Sequence, residues 1–190
     1  MNCIFKTLFI LAVLLFVSAS VVSAQKYSTK NGRISFFSET SAEKIEAQNS
    51  QVNSALDIQT GDFVFKTLIR AFEFEKALMQ EHFNENYLES DKFPSSTFKG
   101  KVSNLKEINF SKDGKYNVTV EGDLLIHGIT RKISVKGIFE IMAGSIFGDA
   151  RFNVLLKDYN IKVPNTVINN ISESIEIKVS VELKKLTIDK

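Results

Sequence analysis

The side chains here that could do chemistry are few, and their spacing argues against most of it. The 190 residues include two histidines, His82 and His127, and one cysteine, Cys3. A metal centre needs three or four converging ligands, and neither histidine stands in a His-x-x-x-His or Glu-x-x-His pattern. His127 precedes Gly128 at a turn, where an imidazole serves by hydrogen-bonding loop backbone. His82 follows Glu81, with Glu85 one turn on, which is the composition of a solvated helix face. Asp158 beside Tyr159 is the best acidic candidate. No serine sits in a Gly-x-Ser-x-Gly elbow, and neither a phosphate-binding loop nor a dinucleotide glycine fingerprint occurs. The expectation is a protein that is not an enzyme, with no catalytic residue, no metal site and no cofactor.

Charge narrows the classes further. Lys and Arg number 24 against 22 Asp and Glu, a near balance without the basic stripe that nucleic acid requires. Residues 1–24 read as a signal peptide: Lys6 gives a positive start, Thr7 to Val17 an apolar core too short to span a membrane, and Val22-Ser23-Ala24 a small-residue cleavage site. Residues 25–190 are then the exported chain. Cys3 precedes the apolar core, so it is no lipoprotein anchor, and the mature chain has no cysteine to build a disulfide. Its stability must come from a hydrophobic core. With two prolines and no low-complexity linker, it reads as one domain.

The elements are strands. Between Tyr116 and Ile141 apolar residues alternate with polar ones on both sides of His127-Gly128, the pattern of an antiparallel hairpin with one dry face. Facing Ile126 with Ile133 matches every apolar residue to an apolar partner, sets Asp123 opposite Lys136, and sets Gly122 beside Gly137 on the dry face. Two level glycines mark either a bend or a place where a ligand approaches the backbone. Further strand-like runs cover Arg33 to Glu39, Glu43 to Asn49, Ser54 to Gln59, Asp62 to Ile69, Thr97 to Asn104, Ile108 to Phe110, Ile146 to Leu156 and Ser174 to Leu186. One segment breaks the pattern. Glu73 to Phe83 has helix formers, with Phe72, Leu78, Met79 and Phe83 as an apolar stripe, and predicts a short helix capping a barrel end. The one-sided alternation through Ile175, Ile177, Val179 and Val181, and again through Ala150, Phe152 and Val154, favours a closed antiparallel β-barrel of about eight strands over a sandwich.

Residues 122–135, Gly-Asp-Leu-Leu-Ile-His-Gly-Ile-Thr-Arg-Lys-Ile-Ser-Val, resemble the signature hairpin of the YceI family of bacterial periplasmic lipid-binding proteins. Phe93-Pro94 with Ser-Ser-Thr-Phe-Lys-Gly after it, Phe152 to Ile161, and the last strand are similar to further family segments, so the likeness covers most of the mature chain. Asn160 stands where glycine is usual, but asparagine tolerates the left-handed conformation and preserves the turn. Lys157 does not fall where a basic residue is expected. The resemblance implies a lipocalin-like barrel, a periplasmic location, and an apolar lumen holding a polyisoprenoid, a quinone or another amphipathic lipid. It gives Asp158 a turn-forming role. The expected lumen lining is Phe63, Phe65, Phe98, Val118, Val120, Gly122, Leu124, Val135, Gly137, Phe139, Phe152, Val154, Ile177 and Val179. Expected partners are the lipid, no nucleic acid, and peripheral or no membrane contact, with a homodimer left open. Two other readings stay open: a protein-interaction or stress-response module whose barrel is filled by its own side chains, and a hydrolase or isomerase acting on a prenyl ligand through His127 or Asp158.

Overall fold

Alternating sequences with one dry face must bury that face, and here they do so by closing on themselves. The computed structural model describes residues 25–186; the expected signal peptide, residues 1–24, lies outside the described residues. The strands are β1 (Lys26–Glu39), β2 (Lys44–Asp57), β3 (Asp62–Leu68), β4 (Glu73–Phe74), β5 (Ser95–Val102), β6 (Gly114–Ile126), β7 (Ile129–Met142), β8 (Ser145–Leu155) and β9 (Ser174–Lys185). They run in the order β1-β9-β8-β7-β6-β5-β3-β2, and β2 pairs back onto β1, which closes an eight-stranded antiparallel barrel as the sequence predicts. The two residues of β4 pair only with Ala47 and Gln48 of β2.

The barrel has a packed half and a hollow half. Around the β2–β3, β5–β6 and β7–β8 connections, Leu56, Phe63, Val102, Ile108, Val118, Phe139, Ile141, Ile146, Val181 and Leu183 form one buried cluster. Ile108 belongs to this plug and not to a strand. It follows a 3-10 turn at Leu105–Glu107 and bonds back to the Leu105 carbonyl, so the expected strand Ile108 to Phe110 does not form.

The β6–β7 hairpin differs in register from the expectation. Ile126 faces Ile129, Asp123 faces Lys132, Gly122 faces Ile133 and Gly137 faces Val118. His127 and Gly128, with φ of 50° and 74°, make a two-residue turn in which both central residues are left-handed, the geometry that matches strand twist. Relative to the expected pairing the slip is four residues. An even slip keeps every apolar residue on the dry face, and Lys132 replaces Lys136 as the partner of Asp123, so neither hydrophobic pattern nor charge distinguishes the two.

Gly122 and Gly137 therefore do not meet. Gly122 pairs with Gly100 of β5, where a Cβ would overlap the Gly100 Cα and the Lys99 carbonyl; at Gly137 a Cβ would lie 2.6 Å from the Asp149 carbonyl oxygen. Both mark tight contact between backbones.

Strand β2 is continuous through Gln48 to Asn53, where the sequence suggests a break. Its first half meets β4 and its second half meets β3. At the parting, Asn49 donates to Thr67 Oγ1 at 2.7 Å and to the Leu68 carbonyl at 2.9 Å, and accepts from the Gln51 N–H at 2.8 Å. The expected helix is also shorter. Glu73 and Phe74 are extended because they pair with β2; α1 occupies only Ala77–His82, followed by a π-helical turn at Phe83–Tyr87. Leu78 projects to solvent, 60% exposed, and is not part of the buried stripe.

Candidate binding cavity

Above the packed half, inward-facing residues of the same strands do not meet across the barrel. Val120, Val135, Phe152, Val154, Ile177 and Val179 point inward yet are only half-buried, and they line a cavity of about 340 Å³. That size lies in the range of small-molecule sites. Phe63 and Phe65 form its floor, with ring centroids 4.6 Å apart; Phe63 also packs edge-on against Phe139 at 5.7 Å, and Phe65 lies 6.3 Å from Phe98.

The mouth is roofed by aromatic rings from the β3–β5 connection. Phe83 stacks on Phe36 of β1 at 5.3 Å and touches Phe74 at 5.0 Å and Phe72 at 5.6 Å. Met79 of α1 adds to this roof, while Ile161, Val167 and Ile171 of the β8–β9 connection line the opposite side. The stripe Phe72, Met79, Phe83 predicted from helical spacing thus borders the cavity as well as packing under the lid.

Of the residues expected in the lumen, Phe63, Phe65, Phe98, Val120, Leu124, Val135, Phe152, Val154, Ile177 and Val179 line the cavity. Val118 and Phe139 lie in the packed half, 4% and 2% exposed, and Gly122 and Gly137 lie at strand contacts; these four do not line it. Sequence reasoning left out Ile34, Phe36 and Ile45, although Ile34 and Phe36 do alternate with Arg33 and Ser35. The connection 156–173 offers no period at all, so Ile161, Val167 and Ile171 carry no such signal.

The polar candidates hold the fold at the open end. His127 Nδ1 lies 3.0 Å from the Tyr159 carbonyl oxygen, which can only accept, so Nδ1–H donates; Nε2 lies 2.9 Å from Glu89 Oε2. The ring also packs edge-on against Phe93 at 4.6 Å. Lys92 and then His127 hold the Glu89 carboxyl below the usual carboxylate range. Neither His127 nor Asp158 borders the cavity. Asp158 sits in the 3-10 turn Leu156–Tyr159, which Asn160 ends at φ 56°, the left-handed conformation expected of it. Burial pushes the hydroxyls of Tyr87, on the cavity wall, and Tyr159 above their ordinary values. His82, exposed as expected, nonetheless touches the rim. Among the described residues, no three His, Cys, Asp or Glu side chains are grouped to hold a metal.

The model of the YceI-like domain matches residues 16–183. This chain belongs to the YceI-like domain family. Solved structures agree with this YceI-like fold at low identity. A polyisoprenoid binding domain from Saccharophagus degradans, implicated in plant cell wall breakdown, superposes with a TM-score of 0.75 at 10% identity, covering 86% of this chain and all 100% of that one. BcnA of Burkholderia cenocepacia gives 0.62 at 12% identity, over 81% and 96% of the two chains. A YceI protein of Campylobacter jejuni gives 0.57 at 16% identity, over 74% and 85%. No curated protein matches the sequence. Family and fold together support a lipid-binding barrel.

Proposed function

We propose that this YceI-like protein is an exported, non-enzymatic carrier or scavenger that holds the isoprenoid tail of a long-chain lipid in its cavity. The observation that carries the reading is the cavity itself: an apolar space of about 340 Å³, floored by Phe63 and Phe65, walled by aliphatic side chains and reached from one end. Each CH₂ buried there contributes about 0.8 kcal/mol, so a tail binds without charged contacts. The resemblance to a polyisoprenoid binding domain supports the same ligand class. The filled-barrel alternative describes only the packed half, and an enzyme working through His127 or Asp158 would need those groups at the cavity. Export to the periplasm is supported by the pattern of Lys6, Thr7 to Val17 and Val22-Ser23-Ala24, with the mature chain starting at Gln25.

Native mass spectrometry of protein purified without detergent and offered geranylgeraniol or a long-chain quinone is the direct test. A stoichiometric adduct is expected, lost when Phe152 or Val135 is replaced by a charged residue. Failure to retain any prenyl lipid would refute the function. Intact mass of the exported protein tests the cleavage site independently.

A further inference from the structure

We infer that Glu43 selects the head group of the bound lipid, favouring a hydrogen-bond donor without negative charge, such as the hydroxyl of a long-chain alcohol, over a phosphate. The inference rests on the proposed lipid-binding function and adds the chemistry of the end that the tail does not explain. Phe63 and Phe65 close the floor, so a tail enters from the open end and its head stays at the mouth.

Among the described residues lining the cavity, none is Lys or Arg; Glu43 and His82 are the titratable groups at its rim besides Tyr87. Glu43 is held inward, its side chain only 24% exposed. Its Oε1 lies 3.2 Å from Lys76 Nζ, and its Oε2 accepts from Asn170 Nδ2 at 3.3 Å. One carboxylate therefore ties together the β1–β2 hairpin, the lid and the β8–β9 connection. Lys76 approaches it from outside, 65% exposed, and does not border the cavity.

A carboxylate accepts about four hydrogen bonds, and two are used here. Of the small hydroxyl groups on the lining, Ser96 Oγ donates to the Leu125 carbonyl at 2.6 Å, while Ser38 Oγ accepts from the Ser172 N–H at 2.8 Å and Thr67 Oγ1 accepts from Asn49. Among the described residues of the lining, Glu43 is the one carboxylate, and it brings acceptor capacity and negative charge to the mouth, with the second N–H of Asn170 beside it. A hydroxyl can donate to Glu43 and accept from Asn170 at once. A phosphate has oxygens that only accept, and it would bring like charge to Glu43 beside an apolar wall, where screening is weak.

The test compares geranylgeraniol with geranylgeranyl phosphate, which share one tail, by competition against a fluorescent prenyl probe near neutral pH. The wild type is expected to bind the alcohol about tenfold more tightly, a difference of about 1.4 kcal/mol. Glu43→Gln should shrink that gap by strengthening phosphate binding, and Glu43→Lys should invert it; Lys76→Ala should widen it. Equal or tighter binding of the phosphate by the wild type overturns the inference while leaving the lipid-binding function in place, and so does a gap unchanged in Glu43→Gln. A wild type that binds neither compound overturns the function itself, and the inference with it. The wild-type ratio decides even if a variant fails to fold.

Discussion

Asn49 is fully buried in a barrel wall, and all its hydrogen bonds serve the seam where β2 leaves β4 for β3. Replacing it by alanine removes three hydrogen bonds at a part-buried seam, one of them to the buried Thr67, and a buried polar group left unmet costs about 1 to 3 kcal/mol. Asn49→Ala is accordingly expected to lose about 3 kcal/mol in urea denaturation, and a loss below about 1 kcal/mol would mean that water takes over the seam. Nothing in the run Gln48-Asn49-Ser50-Gln51 announces this role, because its partners lie in a strand whose register the local sequence does not contain. The glycines teach the same lesson at closer range. Gly137 reads as a lumen residue only if Gly122 is its neighbour; it has Val118 on that side and Ala150 on the other, where an added side chain collides with the Asp149 carbonyl. Gly137→Val should lower the melting temperature with or without lipid, in line with about 1 to 3 kcal/mol for overpacking. An unchanged melt with lost lipid stabilisation would restore the glycine to the cavity.

Turns and lid, the next scale up, were legible by type and not by pairing. His127-Gly128 announces a hairpin, yet an even slip costs the hydrophobic pattern nothing, so only the left-handed pair in the turn fixes the register. That turn is clamped through His127 to Glu89 and Tyr159. The carboxyl of Glu89 is depressed in the folded state, first by Lys92 and then by His127. A depressed acid contributes stability above its unfolded value and loses it as pH falls through the lower folded one. Melting curves of Glu89→Gln should therefore fall less steeply than wild type from neutral into acidic pH, and parallel curves would show that the clamp carries no such linkage. The lid segment Glu73 to Phe83 has the composition of one helix, but tertiary pairing with β2 wins over Glu73 and Phe74. Its hinge of contact is Phe83, whose ring touches three others. Phe83→Ala should speed release of a bound prenyl lipid in stopped-flow displacement, while amide exchange in the packed half stays slow. An unaltered release rate would mean that lipid leaves by another route.

For the molecule as a whole, the alternation of strands told which residues face inward, and it could not tell which of them meet. Val118 and Val120 share a face two residues apart; one is 4% exposed in the plug and the other borders the cavity. Height along the barrel, set by strand stagger and loop packing, makes the difference. Phe139→Ala should therefore cost about 3 to 5 kcal/mol, as for a buried ring, whereas Phe152→Ala, beside space that already exists, should cost clearly less and weaken lipid binding instead. Equal losses in chemical denaturation would contradict the division into two halves. The pairing that completes the ring has a consequence in time. Strand β1 is flanked by β2, its neighbour in sequence, and by β9, the farthest strand from it. Until β9 is present, β1 and β8 stand as open edges and no enclosed volume exists to receive a lipid. Strand β9 must therefore emerge before a lipid can be taken up, and a chain interrupted short of it is a sticky open sheet, exposed to proteases and to its own kind.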